Sequence, residues 1–262
     1  MKIHFKKIGE GKPLLILHGL FGQSDNWATL SNAYALEGFG VYMIDQRNHG
    51  RSAHSFDFSY DFMANDIKLL MQDESIRKAD IIGHSMGGKT AMYFAREYPE
   101  LVNKMIVVDI SPSYYPQHHK TVLSALHSVN LNQIKSRKEA ESVLRISLQD
   151  EGIIQFLLKN LYWKTETQLD WRFGLQEIEE NIEMIGEALP GSEAIDVPTM
   201  FIRGEHSEYI NAEHEKIIHQ RFSNVEIKTV PNAGHWVHAE NPKGFLEDSL
   251  RFFKSASKVW EN

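Results

Sequence analysis

Ile81-Ile82-Gly83-His84-Ser85-Met86-Gly87-Gly88 decides the reading of this chain. An apolar run containing Ile81 and Ile82 comes first, and a helical pattern that stops before Pro99 follows. Between them, Gly83, Ser85 and Gly87 spell Gly-x-Ser-x-Gly. In a strand–turn–helix context that pattern has a mechanical reason. A sharp turn lifts the serine hydroxyl out of the sheet, and only small neighbours fit around it. The helix beyond directs its first amides at the same point, where they favour negative charge. Without the context the run is a glycine-rich turn with an incidental serine. With it, Ser85 is the candidate nucleophile.

Short β-type runs recur on both sides, at residues 14–17, 41–44, 80–82, 105–108, 199–202 and 225–230. Several are apolar almost throughout, as strands buried on both faces should be. Helical patterns at 61–70 and 86–98 separate them, and an amphipathic stretch at 244–253 comes last. The alternation predicts an α/β fold with a mostly parallel sheet flanked by helices. It breaks at about Ser111 and resumes after Pro198. Residues 111–196 show helical spacing at 122–126, 143–148 and 153–158 and no convincing strand. They read as a helical insertion, with residues 1–110 and 197–262 as the core.

A length of 262 residues suits one such α/β domain. With 42% hydrophobic and 24% charged residues, the composition is that of a globular protein. The net charge of −7 argues against nucleic-acid binding and against adhesion to an anionic membrane. No cysteine is present, which excludes disulfides, thiolate metal sites and a cysteine nucleophile. No signal-peptide pattern follows Met1, and no apolar run is long enough to span a bilayer, so a cytoplasmic protein is expected.

Pro231-Asn232-Ala233-Gly234-His235-Trp236-Val237-His238 follows the last predicted strand. A histidine there can reach over the sheet edge to Ser85, in the order serine before histidine. His235 is therefore the candidate general base, while His238 reads as a capping or packing residue. Leu17-His18-Gly19-Leu20-Phe21-Gly22 ends the first long strand. A developing oxyanion needs two fixed donors, and the amides of Leu20 and Met86 are the candidates. His18 is expected to order the loop.

These motifs together resemble the α/β-hydrolase superfamily over nearly the whole chain. Asp45-Gln46-Arg47-Asn48-His49-Gly50-Arg51-Ser52 resembles that family's structural Asp-x-Arg-x-x-Gly-x-Ser turn. Residues 111–196 sit where the family carries its helical cap, inserted after the sixth strand. Phe21-Gly22, Asp109-Ile110-Ser111-Pro112 and the run from Gly234 to Glu240 are most similar to small bacterial esterases of the YbfF type. That likeness implies cofactor-free hydrolysis of acyl esters, with acyl thioesters as a further class. Small-molecule esters of short to medium acyl chain are the expected substrates, with no metal.

The acid of the triad departs from the superfamily's common pattern. Where an aspartate is usual, in Arg203-Gly204-Glu205-His206-Ser207-Glu208, this chain has Ser207. Asp109 follows the strand next to that of the nucleophile and can fix the tautomer of His235. The YbfF-type likeness carries the acid to the same position. Ser207 is then a second, neutral partner of the imidazole. Glu205 and Glu208 are alternatives, and Asp109 as a mere turn cap is the plain reading. Asp196 lies at the wrong end of its strand.

For the pocket, Phe21 beside the oxyanion loop is expected to line it, with Trp163 as a further candidate. The other candidates from the insertion, Phe156, Leu157, Leu161, Tyr162, Trp171 and Phe173, read first as packing. His118-His119 lack companion ligands for a metal and are expected in solvent. Thioesterase, carbon–carbon hydrolase and perhydrolase activities would use the same triad. Dehalogenases and epoxide hydrolases use an aspartate where Ser85 stands. A binding protein of the same fold is the non-enzymatic alternative, and the oligomeric state is not legible.

Overall fold

The computed structural model describes residues 1–255. Residues 256–262, assigned above to the core, lie outside the described residues. The chain opens with β1 (Phe5–Ile8), β2 (Lys12–Leu17), α1 (Ala28–Leu36), β3 (Phe39–Ile44), α2 (Tyr60–Asp73), β4 (Ala79–His84), α3 (Met86–Glu97) and β5 (Val102–Val108). A long excursion follows, through α4 (Lys120–Ser128), α5 (Arg137–Ser147), α6 (Glu151–Leu158), β6 (Leu161–Trp163), β7 (Leu169–Trp171) and α7 (Leu175–Glu180). The chain then forms β8 (Thr199–Gly204), α8 (Ala212–Arg221), β9 (Val225–Val230), α9 (Val237–Glu240) and α10 (Pro242–Lys254).

Seven strands form one sheet in the order β1-β3-β2-β4-β5-β8-β9. Only β1 is antiparallel. Residues 14–17 and 79–84 are buried on both faces. Leu15, Leu17, Ile81 and Val107 point to the side covered by α2 and α3, where Ile67 and Met92 meet them. Leu14, Ile16, Ile82 and Val108 point to the side covered by α1 and α10, with Tyr34 and Phe245. This two-sided burial is why the strands read as continuous apolar runs. Side chains of Ser59, Asp150 and Asn241 cap α2, α6 and α10, setting where each helix starts.

Strand β2 lies between β3 and β4, so the chain leaves it on one side and returns on the other. The loops after β2 and β4 diverge there and leave a crevice at their carboxyl ends, the usual ligand position in open α/β sheets. The excursion begins after the fifth strand in chain order, not the sixth. A single strand, β1, precedes β2 at that edge, so the count is one short. The excursion is also not purely helical. Strands β6 and β7 pair antiparallel, Leu161 opposite Trp171 and Trp163 opposite Leu169. Strands of three residues are too short to show a period of two, and their aromatic side chains resemble helix core. Both ends of the excursion are tied to α3: the buried Lys89 ammonium donates to the carbonyls of Ser113 and Glu187.

Candidate active site

Ser85 sits between β4 and α3 at φ 52° and ψ −117°, a strained conformation for a residue with a side chain. The turn closes only because its neighbours are glycines. A Cβ on Gly83 would lie 2.2 Å from the Gly87 carbonyl oxygen, and one on Gly87 would lie 2.3 Å from that of Leu17. The loop after β2 also packs close, since a Cβ on Gly19 would lie 2.9 Å from His84 Nδ1 and 3.3 Å from the Ser85 Cβ.

That loop is braced from beneath. His18 Nδ1 donates to the Gly19 carbonyl at 2.8 Å, and its Nε2 accepts from the Gln46 amide at 3.1 Å. Burial pushes the His18 pKa down, so the ring stays neutral in this role. The Phe21 amide donates to His49 and that of Gly22 to Gly19. The Leu20 amide donates to neither, and that of Met86 is at the first position of α3, where no intrahelical acceptor exists. The turn at 45–52 supplies the brace. Asp45 accepts from the Ser24 amide at 2.6 Å, and Arg47 pairs with Asp66 at 2.7 Å. A Cβ on Gly50, at φ 58°, would strike the Asp45 carboxylate.

The Asp109 carboxylate is wholly buried at the end of β5, with φ 53°. His235 Nδ1 lies 2.8 Å from its Oδ2. An ionised carboxylate only accepts, so Nδ1 carries the proton and Nε2 keeps its lone pair. Gly204 donates its amide to Oδ1 at 3.3 Å, and the Ser207 hydroxyl donates to Oδ2. Ser207 therefore bonds the carboxylate and not the imidazole, which corrects the expectation for it: Oδ2 stands between the two. Glu205 accepts from the Asn232 amide, and Glu208 is exposed and makes no bond to His235. Among the described residues no hydrogen bond joins the Ser85 hydroxyl to His235, though both line one cavity. Contacts of this kind often close only with substrate in place.

Two features beside His235 were not legible in the sequence. The Tyr209 ring stacks on the imidazole with centroids 4.1 Å apart and 20° between planes. Its hydroxyl lies 2.7 Å from His118 Nε2, and burial pushes its pKa up to about 12, so it remains protonated. His84 Nε2 donates to the His235 carbonyl at 2.9 Å. Burial, with His238 and His235 nearby, pushes the His84 pKa well below the usual imidazole value.

The shared cavity holds about 380 Å³. Leu20, Phe21, Val122, Phe156, Tyr209 and Trp236 make much of its wall. Phe21 is held edge-on by Phe173 at 5.1 Å, and its carbonyl by Asn160 at 2.8 Å. Trp163 is not in this wall. It stands 53% exposed on β6 and borders another cavity, because the hairpin turns it away from Ser85. His118 is exposed, but His119 is half-buried in the cavity wall, its pKa pushed down to about 4 by burial. No group of three or more potential ligands is placed to hold a metal among the described residues. His238 is buried, stacked on Trp27 at 4.0 Å.

The family model described as the α/β-hydrolase fold matches residues 12–139. The chain is 32% identical to the esterase YbfF of Escherichia coli over 243 residues, covering 92% of each. The chain belongs to the α/β-hydrolase family. It is also 36% identical to the sn-1-specific diacylglycerol lipase ABHD11 of Mus musculus, over 91% of this chain and 80% of that one. A solved structure named as a marine microorganism esterase superposes with a TM-score of 0.93 at 40% identity, covering 96% of this chain and 99% of that one. A thioesterase domain from the curacin pathway, at 18% identity and a TM-score of 0.72, shows the shared fold alone. Among the described residues no helix of this α/β-hydrolase is long and apolar enough to cross a membrane.

Proposed function

We propose that this α/β-hydrolase cleaves small-molecule carboxylic esters, with Ser85 as nucleophile, His235 as general base and Asp109 as the acid that orients it. The observation that carries this reading is the 2.8 Å contact of His235 Nδ1 with the buried Asp109 carboxylate, at the rim of the cavity that holds Ser85. Ser85 attacks the ester carbonyl while His235 Nε2 takes its proton. The amides of Leu20 and Met86 receive the charge on the carbonyl oxygen. The imidazolium then protonates the leaving alcohol. Water, activated by the same nitrogen, releases the acid and restores the serine.

Residues 111–196 act as a cap over the core formed by residues 1–110 and 197–255. Val122, Ile153, Phe156 and Leu157 bring the cap's apolar side chains to the cavity. At about 380 Å³ the cavity lies near the lower end of the roughly 300–1,000 Å³ usual for small-molecule sites. Acyl chains of short to medium length fit that space. Hydrolysis of p-nitrophenyl esters of graded acyl length, by the native chain and by Ser85→Ala, tests the reading. Turnover by the native chain and a loss of at least about 10³-fold in the variant are expected. Substantial turnover by folded Ser85→Ala defeats it.

A further inference from the structure

A second cavity, of about 400 Å³, opens between residues 23–25 of the core and the β6–β7 hairpin. Its wall carries five cations, Lys6, Arg51, Arg137, Lys159 and Arg172, against two carboxylates, Asp25 and Asp45. In a chain with 35 acidic and 28 basic side chains, that local excess runs against the composition. Of these five, Lys6 alone has a carboxylate partner among the described residues, Asp25. The buried Asp45 is occupied by the Ser24 and Arg51 amides and by His4. Arg137 is held by the carbonyls of Leu158 and Leu161, which fix its guanidinium without cancelling its charge.

Arg51, Lys159 and Arg172 have no carboxylate in ion-pair distance among the described residues. Elsewhere on this surface Arg145 pairs with Glu141 and Glu151, and Arg203 with Glu215, while Arg221 is held by carbonyls alone. Unpaired like charges around a concavity focus a positive potential on it. Guanidinium forks match phosphate oxygens, and lysine adds a point charge. Aromatic surface lies in the same wall. The Arg172 guanidinium is 4.3 Å from the Tyr162 ring centre, and the indole of Trp163 is half-exposed. An exposed indole beside phosphate-binding cations suits a planar ring.

We propose that this cavity binds a ring-bearing phosphate ester, of which a nucleoside diphosphate is a simple form. The phosphates lie against Arg51, Lys159 and Arg172, and the ring lies on Trp163. The Gln23 side chain, which donates to the Lys159 carbonyl at 3.2 Å, closes the cavity on the core side. The Ser85 cavity is walled by other residues, so occupancy of this site and ester turnover are measured independently.

The test is calorimetric titration of the native chain with ADP and with inorganic pyrophosphate at low ionic strength, where exposed charges are least screened. One ADP per chain is expected, bound several-fold more tightly than pyrophosphate. The Lys159→Gln/Arg172→Gln double variant should weaken ADP by at least about tenfold. Ser85→Ala should bind it as the native chain does. Native-rate ester hydrolysis by the double variant shows that it folds. Arg51→Gln, at an exposed position outside the hairpin, repeats the test with a several-fold loss expected. No ADP binding at about 1 mM, or unchanged affinity in the double variant or in Arg51→Gln, overturns the site. Equal affinity for ADP and pyrophosphate overturns the ring-bearing class.

Discussion

Replacing Asp109 with asparagine removes one charge and leaves the shape. Three donors converge on this carboxylate: the Gly204 amide on Oδ1, and His235 Nδ1 and the Ser207 hydroxyl on Oδ2. A carboxamide has one acceptor oxygen and one donor group. If its oxygen faces His235, its NH2 meets the buried Gly204 amide, and an unsatisfied donor there costs about 1–3 kcal/mol. If its NH2 faces His235, the imidazole must accept at Nδ1 and carry its proton on Nε2. It then cannot take the proton of Ser85. In the first orientation, where the proton can still be taken, the imidazolium formed during attack loses a carboxylate 2.8 Å away. The same exchange costs roughly 10⁴ in kcat in the trypsin-like serine proteases. At about 1.4 kcal/mol per tenfold, a loss of roughly 10³–10⁴ in kcat, or about 4–5.5 kcal/mol, is expected here. The assay is p-nitrophenyl butyrate hydrolysis, with circular dichroism to confirm folding. A loss under about tenfold in a folded protein, with Glu205→Gln or Glu208→Gln more damaging, refutes Asp109 as the acid.

The stacked ring of Tyr209 should assist through its face rather than its hydroxyl. Tyr209→Leu is expected to lower kcat/KM by roughly three- to tenfold, the worth of an aromatic or cation–π contact, whereas Tyr209→Phe should keep the native rate; equal losses in the two would point to the hydroxyl. Burial pushes the pKa of His49 and of His238 down to about 3. Both rings are neutral in either state above the unfolded value of about 6.5, so they add no pH dependence there. As pH falls from about 6.5 towards 3 the unfolded chain binds protons that the native chain refuses, and each ring removes up to about 1.4 kcal/mol of stability per pH unit. Urea midpoints should therefore fall between pH 7 and pH 5, and less steeply in His238→Leu; identical slopes would show that His238 titrates freely in the native state.

Much of the fold and of the proposed site is legible because Ser85, Leu20 and Asp109 follow strands whose last residues are largely apolar and buried. Ser85 and the Leu20 loop stand at the ends of β4 and β2, whose burial on both faces leaves a plain signature. Asp109 was placed by its position after β5, together with the family likeness. The hairpin β6–β7 was missed, and Trp163 with it, because three residues per strand carry no period. Tyr209 was missed because stacking on His235 joins two loops after β8 and β9, and nothing local marks it. His119 was expected in solvent, since a pair of histidines in a loop gives no sign of the wall it joins. For Ser207 the neighbourhood was right and the partner was not, because one carboxylate oxygen between two donors cannot be read from spacing.

The parts of the proposed triad do not share one mechanical foundation. Ser85 and Asp109 end β4 and β5, interior strands of the sheet, while His235 follows β9, the last strand at one edge, which is only partly buried over most of its length. Edge units open with less free energy than the whole domain. Partial opening of β9 and α9 would withdraw the base while the serine and the acid stay assembled. Gentle warming or dilute denaturant should then silence the enzyme reversibly before the bulk of its structure melts. In that interval the amides of β9 exchange with solvent and those of β4 stay protected.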